Sequence, residues 1–462
     1  MTRRKSQAQP LGPSAGHRLA ACSLALVLTL TSSGLGPARA GSYDIFGVSA
    51  RDIGMGGAMT GAVVGYSALF YNPAALTLEK QHSLAFGLHL SLPMLEVTRE
   101  DAGATPASVD PDAHLGVSFG WVKPFGGIFD DRLAMGLSVS LPVKRLIRVQ
   151  GVDPASPQWY LYQNLQDKLL IHLGLAGDIS DWLSVGAGLQ ILADLTGGAS
   201  LDLDIVSGTF DRRTIGVTLQ PNVAPCAGVH IRPTLGPHGG QLKFGLTYRG
   251  SSSLSFDLPV NVAEGEALSI DIDVAQTVLW TPHELAFGFA YTLDEPALTL
   301  AVDLTWAFWS GAPDPSPRLS VDFGGRLIGA FGLDDALDLS VGASPLELGF
   351  VDTLTARVGA EWMPTGDVTL RAGYFFRPTP APPATGSAAY LDNDAHVVSL
   401  GLGIGFQNPL KEGRSVVELD LALQATILPR RTVYRSAADN PGGDLSHGGV
   451  VWNTSIGGVH RF

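Results

Sequence analysis

The chain has 462 residues, of which 45% are hydrophobic and only 16% charged, two cysteines, and a formal net charge of −13. This acidic balance argues against nucleic-acid binding, which needs clustered Lys and Arg on phosphates. Two cysteines, Cys22 and Cys226, cannot build a disulfide framework or a cysteine-based zinc site, and no residue pattern indicates a metal or a cofactor.

The first 40 residues have the pattern of a cleavable export signal. Basic residues at Arg3–Lys5 precede an apolar stretch from Leu19 to Leu30, and small residues suited to cleavage stand at Ala38 and Ala40. The apolar stretch is shorter than the roughly 20 residues that a membrane-spanning helix needs. We therefore expect residues 1–40 to be removed on export.

Residues 41–80 lack the regular pattern of the rest of the chain. A glycine-rich stretch at Gly54–Gly57 and the turn-forming Asn72-Pro73-Ala74 favour a compact, irregular structure. Because the segment is apolar, whereas disordered tails are usually polar, we predict that it folds as a hatch inside the barrel formed by residues 81–462. A disordered periplasmic tail is the alternative.

From residue 81 onward, apolar residues alternate with small or polar ones in strand-length runs. In the first run Leu84, Phe86 and Leu88 share one face, and Ala85 and Gly87 share the other. This period of two is typical of transmembrane β-strands, in which every second residue faces lipid. Similar runs continue to the terminal segment 449–462, which ends on Phe462, and they number about fourteen, an even count as in single-chain bacterial barrels.

Short turns and long connections also alternate along the chain, which is typical of an outer-membrane barrel with both termini in the periplasm. The pattern is weakest at the strand near 213–232 and in the 310–350 region, where an additional hairpin could form. The sequence therefore predicts an all-β protein: a transmembrane antiparallel barrel of about 14 strands in the outer membrane of a Gram-negative cell.

Two hatch motifs, Ser49–Ala58 and Ser67–Leu76, resemble the N-terminal hatch of the long-chain fatty acid transporter family (the FadL/TodX type). Pro282–Trp309 and the block from Asp352 to His396 are also similar to that family, so the resemblance covers the whole chain after the signal. The chain departs from the family pattern at one place: family members often carry acidic residues just before the Ser67 motif, whereas this chain has Val63–Tyr66 there.

The resemblance implies passive, ligand-gated uptake of hydrophobic molecules through a plugged barrel with a lateral exit. Long-chain fatty acids are the favoured cargo, while an aromatic hydrocarbon or another lipid stays open. The resemblance also implies that hatch residues contact the ligand, and in this chain these would be Phe46, Phe70 and Asn72-Pro73-Ala74. We expect a monomer whose partners are the hydrophobic ligand and outer-membrane lipid, without nucleic acid.

Charged residues on the inward face of three neighbouring strands are further candidates. The alternation places Asp303, Arg357, Glu361, Arg371 and Arg377 toward the lumen. Opposite charges on adjacent strands can pair and brace the barrel. Alternatively, Arg357 or Arg371 binds a substrate carboxylate, for which the two-pronged guanidinium is suited.

Pro142 is the candidate gating residue, because proline cannot donate to a β-ladder and so interrupts or ends it. In the resembled family a kink in the third strand forms the lateral exit, and Pro142 lies in the matching stretch. The alternative is that the strand is already leaving the membrane at this residue.

The 147–167 loop is rich in aromatic and apolar residues, including Trp159 and Leu161. We predict that they are exposed on an outer loop as a hydrophobic capture groove, a site that the resembled family has. An interfacial aromatic belt or simple loop packing are the alternatives.

No Ser/His/acid grouping indicates catalysis, so we do not expect an enzyme. Barrels also serve as outer-membrane lipid-acting enzymes, however, and barrels that resemble this family act as secretion partners for exported proteins. Both alternatives stay open at this point.

Overall fold

The computed structural model describes residues 46–99, 111–143, 157–162, 169–204, 209–233, 240–264, 268–324, 326, 330, 339–342, 348–385, 389–407, 415–435 and 443–462. The predicted signal 1–40 and the start of the predicted hatch, residues 41–45, lie outside these residues, so both boundaries stay predictions.

Twenty-one strands occur in the described part of the chain. Their bounds are β1 Ser83–Arg99, β2 His114–Phe125, β3 Leu133–Pro142, β4 Gln158–Trp159, β5 Leu170–Ser180, β6 Leu183–Asp204, β7 Thr209–Ile231, β8 Gln241–Arg249, β9 Ser252–Glu264, β10 Leu268–Thr281, β11 Glu284–Leu293, β12 Leu298–Ala307, β13 Arg318–Gly324, β14 Leu339–Gly342, β15 Thr353–Thr365, β16 Val368–Arg377, β17 Ala384–Thr385, β18 Tyr390–Leu391, β19 Ala395–Gln407, β20 Val416–Arg435 and β21 Leu445–Arg461.

Fourteen of these strands form a closed antiparallel barrel, in the order β1-β2-β3-β5-β6-β7-β8-β11-β12-β15-β16-β19-β20-β21. The last strand pairs with the first from Ser83↔Arg461 to Arg99↔Leu445, which closes the ring. Closure leaves no free sheet edge, so every wall strand has two neighbours for its backbone hydrogen bonds. The predicted fourteen-stranded barrel is confirmed.

The outer face of the barrel is apolar. Alternate residues on the wall strands point outward, as the period-two pattern predicts, and on most of these strands large outward side chains are exposed. Examples are Leu84, Phe86, Phe119, Leu175, Leu246, Phe287, Leu300, Trp306, Leu354, Leu370, Leu400, Leu421 and Ile456. No helix among the described residues is long and apolar enough to cross a membrane.

Two further pairs of strands, β9 with β10 and β13 with β14, extend the sheet beyond the closed ring, and β9 also pairs in parallel with β6. Strands β9 and β10 form the first hairpin, and β10 also pairs with β13, which in turn pairs with β14. The 310–350 region therefore does add a hairpin, although its strands extend the β10 edge and do not enter the closed ring. The weak strand expected near 213–232 is part of β7.

Residues 46–80, called the hatch below, contain only short helices: α1 (Ala50–Gly54), α2 (Ala68–Tyr71) and two 3-10 helices at Gly65–Ser67 and Pro73–Leu78. Ser49 starts α1 with a capping box, because its hydroxyl bonds to the Asp52 backbone while the Asp52 carboxylate accepts from Ser49.

The hatch lies inside the barrel, between opposite walls. A Cβ built on Gly401 of β19 would lie 3.1 Å from the Gly54 Cα, and one on Gly186 of β6, across the ring, would overlap the Ala74 backbone nitrogen. Small inward residues on the wall thus allow the hatch backbone to approach closely, and hatch side chains such as Met55 and Met59 are fully buried.

Candidate ligand site in the plugged lumen

A chain of ion pairs fixes the hatch to one half of the lumen wall. Arg51 of the hatch binds Glu361 of β15 through two hydrogen bonds, from Nε to Oε2 at 2.8 Å and from Nη2 to Oε1 at 2.9 Å. Glu361 also accepts from Arg371 Nε of β16 at 2.6 Å. The two parallel hydrogen bonds between Arg51 and Glu361 fix the relative orientation of the two side chains and also strengthen the ion pair.

The chain of charges continues to the other end of the hatch. Arg371 further pairs with Asp420 and Glu418 of β20, the latter at 3.2 Å. Arg461 of β21 then joins Glu418 at 3.0 Å to Glu79 of the hatch at 3.1 Å. The first and last turns of the hatch are therefore both anchored to the β15–β21 side.

Burial affects the ionisation of the hatch acids. It raises the pKa of the Asp52 carboxyl above its ordinary value, against the hydrogen bonds from Ser49, which lower it. Burial likewise raises the pKa of the Glu79 carboxyl, and the nearby Arg461 lowers it. In both cases desolvation of the charged form is the larger effect.

The opposite half of the lumen holds the hatch by packing against glycines. A Cβ built on Gly120 of β2 would overlap the Tyr66 ring, and one on Gly136 of β3 would lie 2.9 Å from Leu76 Cδ2. A Cβ on Gly186 of β6 would overlap the backbone of Pro73 and Ala74. This wall lacks side chains where the hatch sits, so the hatch fills that space.

Asn72 is a fixing residue of the hatch. Its amide nitrogen donates to the carbonyl oxygens of Thr60 at 3.1 Å and Val229 at 3.0 Å, and its oxygen accepts from the Ala74 amide at 3.2 Å. Asn72 and Ala74 are fully buried. The Asn72-Pro73-Ala74 motif therefore joins the hatch to itself and to β7, away from the cavity described next.

Three of the residues expected to contact ligand, Phe46, Phe70 and Arg357, line one cavity above the hatch. Tyr71, Asp303, Thr305, Arg249 and Phe375 contribute to the same cavity. It measures about 20 Å³, enough for about one water molecule. The site is therefore collapsed in this structure, and a ligand of several carbon atoms requires it to open.

The two arginines proposed for carboxylate binding have different environments. Arg371 is buried and pairs with three carboxylates, so its charge is already matched in this structure. Arg357 donates to the Thr305 hydroxyl at 2.8 Å, and its guanidinium carbon lies 5.2 Å from the Phe375 ring centre. No ion pair to Arg357 is found within the described residues, and Asp303 is the carboxylate that faces it across the ladder in the same cavity.

The remaining lumen charges also point inward, as the alternation predicted. Asp303 accepts a 2.7 Å hydrogen bond from the Thr60 backbone amide, and Arg377 binds Asp392 through two bonds of 2.8 Å. The alternation gives the direction of each strand residue but not its partner. Arg249 lies over the Phe70 ring at 4.2 Å and donates to the Phe70 carbonyl. It was not among the expected site residues, although the alternation could have placed it toward the lumen because it follows the outward Tyr248.

The expected exposure of the 147–167 loop aromatics is wrong. Trp159 and Leu161 are 0% and 3% exposed. Trp159 packs edge-on against His447, and its neighbour Tyr160 packs against Trp309, Phe350 and Tyr390. These side chains form a core at the mouth of the barrel, because two loops far apart in sequence pack together there. The simple-packing alternative fits this part of the loop.

The expected interruption inside the third strand is also wrong. Pro142 is the last residue of β3, and the pairing of β3 with β2 runs without a shift from Phe125↔Leu133 to Gly116↔Pro142. The Val143 amide bonds toward β2, so the position of the missing Pro142 donor faces β5. On that side the ladder stops at Ser140↔Leu170. Pro142 thus ends one ladder and does not break the strand.

Comparison with known proteins gives relatives over nearly the whole chain. No protein-family model matches the chain. It is 25% identical over 411 residues to alkane uptake protein A of Marinobacter nauticus, covering 86% of this chain and 84% of that protein.

Solved structures share the fold. A FadL homologue of Pseudomonas aeruginosa superposes with a TM-score of 0.58 and 15% identity, over 93% of this chain and 100% of that chain. The toluene transporter TodX of Pseudomonas putida has a TM-score of 0.54 and 17% identity, over 91% of this chain and 99% of that chain. The chain thus has the fold of the FadL/TodX-type outer-membrane barrels, and the resemblance expected from its hatch motifs is confirmed.

Proposed function

We propose that this protein is an outer-membrane channel for the passive uptake of hydrophobic molecules. The observation that carries the proposal is the combination of a lipid-facing barrel with a lumen filled by the hatch. The described hatch contacts both sides of the lumen and so obstructs an open, water-filled pore of the kind that polar solutes use. The plugged lumen therefore favours hydrophobic cargo, which gains by leaving water for apolar contacts. The named relatives, an alkane uptake protein and a toluene transporter, act on cargo of this kind.

More specifically, we propose that a long-chain fatty acid is one of the molecules that this channel takes up. Its support is the cavity lined by Phe46, Phe70 and Phe375, which Arg357 also lines and where Arg357 has no ion pair among the described residues. Aromatic rings suit an acyl chain, and a guanidinium suits a carboxylate. An alkane would use the same rings without the arginine.

We further propose that the protein acts as a monomer without catalysis, with outer-membrane lipid around its apolar face. The same proposal includes removal of the export signal, residues 1–40, and exit of the cargo through the wall beside Pro142. Within the described residues the β3–β5 pairing extends no further than Ser140↔Leu170, and Pro142 has no N–H to donate toward β5, so this edge of the wall is held by fewer hydrogen bonds.

Uptake measurements test the function. Cells that lack their own hydrophobic uptake are given this chain, and the entry of labelled hexadecane and labelled palmitate is followed. Cells that make an unrelated outer-membrane barrel at the same level control for leaks caused by expression. Entry that exceeds this control supports the proposal. Equal entry with both proteins contradicts it, and stable co-purification of an exported protein would favour the secretion alternative.

A further inference from the structure

Two short segments, residues 157–162 and 389–394, meet across the mouth of the barrel and are called the lid below. Strand β4 in the first pairs in parallel with β18 in the second, in the register Gln158↔Tyr390 and Leu391↔Trp159. The Gln158 amide donates to the Ala389 carbonyl at 3.1 Å. These residues lie about 230 positions apart in sequence, so their pairing exists only in the folded barrel.

The lid reaches opposite walls. Tyr160 exchanges two hydrogen bonds with the Trp280 backbone, donating to its carbonyl at 2.6 Å and accepting from its amide at 3.0 Å. The adjacent Trp159 points the other way, to His447 of β21. Trp280 lies near the end of β10, just before β11, and β11 lies about half the ring away from β21. The neighbouring side chains of Trp159 and Tyr160 therefore touch opposite sides of the mouth.

A polar latch holds the second segment. Arg377 of β16 binds both oxygens of Asp392, and its Nη2 also lies 3.3 Å from the Tyr162 hydroxyl. Asn393 donates to the carbonyl oxygens of Pro429 at 2.7 Å and His447 at 3.1 Å. The latch therefore joins the two lid segments to β16, β20 and β21.

The lid lies directly above the collapsed cavity. On β16 the cavity residue Phe375 is followed at the next inward position by the latch residue Arg377. Beyond the end of β12, which carries the cavity residue Thr305, the chain reaches Trp309 in a short 3-10 helix, and Trp309 packs on Tyr160. The lid therefore lies on the mouth side of the cavity, in the path of a molecule that enters there.

We propose that the lid is a gate that opens for each entering molecule, with the Arg377–Asp392 pair as its latch. This inference rests on the proposed uptake function. The lid is buried and well bonded, so it is closed in this structure, and a cavity of about 20 Å³ beneath it is that of a resting channel. Drug-sized ligand pockets measure roughly 300–1,000 Å³, so both elements must move for entry.

A reversible lock tests the gate. Cysteines at the paired positions, Gln158→Cys with Tyr390→Cys, lie on adjacent strands at a spacing that a disulfide bridges. The single variants Gln158→Cys and Tyr390→Cys control for the lost side chains, and the native Cys226 is buried and does not compete. Heat-dependent gel mobility checks that each barrel is folded.

We expect the oxidised double variant to lose at least 90% of hexadecane uptake and to recover on reduction, while both single variants transport under either condition. Full uptake by the oxidised, folded double variant would overturn the gate. A failure of the wild-type protein to transport at all would instead contradict the proposed function, so the two failures are distinguishable.

A second measurement does not depend on uptake. The side chain of Gln158 is 4% exposed, so a charged maleimide should label the single variant Gln158→Cys slowly. If cargo opens the lid, saturating palmitate or hexadecane should raise the labelling rate several-fold. An unchanged rate with both molecules would argue that the lid stays closed and that cargo takes another route.

Discussion

Arg51 and Glu361 form a two-pronged ion pair between the hatch and β15, with both bonds shorter than 3 Å. Each side chain is 16% exposed, so water screens the pair little. The same carboxylate also holds Arg371, and Glu361 is therefore the shared partner of two buried arginines.

Replacing Glu361 with Gln should loosen the hatch. Arg51 would lose its charged partner, while Arg371 would keep Glu418 and Asp420. Breaking a buried pair typically costs about 3–5 kcal/mol. We expect single-channel conductance in planar bilayers to rise toward that of a variant lacking residues 46–80. The control is Glu96→Gln, which removes the exposed partner of Arg430, at 76% and 59% exposure, and should change little. Unchanged conductance of both Glu361→Gln and the deletion variant would contradict the plug.

Replacing Gly120 with Ala should displace Tyr66 and unseat the hatch from the glycine-lined wall. Overpacking of this kind costs about 1–3 kcal/mol. Gly405→Ala is the matched control, because its added Cβ would meet nothing within 4 Å. Thermal unfolding followed by gel mobility should show a lower midpoint for Gly120→Ala alone. The loss caused by Gly120→Ala should be smaller in a Tyr66→Ala background than in the wild-type background. An equal loss in both backgrounds would show that Tyr66 is not the obstructed group.

Replacing Arg357 with Gln should separate two kinds of cargo. A hydrogen bond to a charged group is worth about 1.5–3 kcal/mol, which corresponds to roughly a 10- to 100-fold change in affinity. The concentration for half-maximal palmitate uptake should rise accordingly, while hexadecane uptake should stay near the wild-type level. Arg430→Gln, on an exposed pair, serves as the control. An equal effect on both cargoes would assign Arg357 a structural role.

Replacing Pro142 with Val should test the side exit. Valine supplies the missing donor toward β5 and favours extension of the ladder beyond Ser140↔Leu170. We expect the barrel to fold normally, surface binding of palmitate to change little, and release into the cell to slow several-fold. If Pro142→Val releases palmitate at the same rate as the wild-type protein, the exit lies elsewhere in the wall.

The barrel could be predicted from the sequence because alternation is a local signal. Each strand residue is inward or outward according to its parity, which also gave the lumen position of Asp303, Arg357 and Arg371. Glu418 and Asp420 could have been found by the same rule, since they alternate with the outward Leu419 and Leu421.

The partners of those residues could not be predicted. Arg51 and Glu79 belong to a segment without periodicity, and their contacts depend on how that segment turns within the lumen. Trp159 carries no local sign of burial, since its cover comes from residues near Tyr390 and His447 that are distant in sequence. The sequence shows that Pro142 lacks a backbone donor. Only the register of the strands shows which neighbouring strand lost the hydrogen bond.

The contact between Gly120 and Tyr66 also has an evolutionary consequence. A larger residue at position 120 is tolerated only when the residue at position 66 becomes smaller, so the two positions do not mutate independently. The same holds for Gly136 with Leu76. Across relatives of this chain, wall and hatch positions that touch should therefore change in pairs, and a hatch exchanged between distant relatives should fit poorly unless its matching wall glycines are exchanged with it.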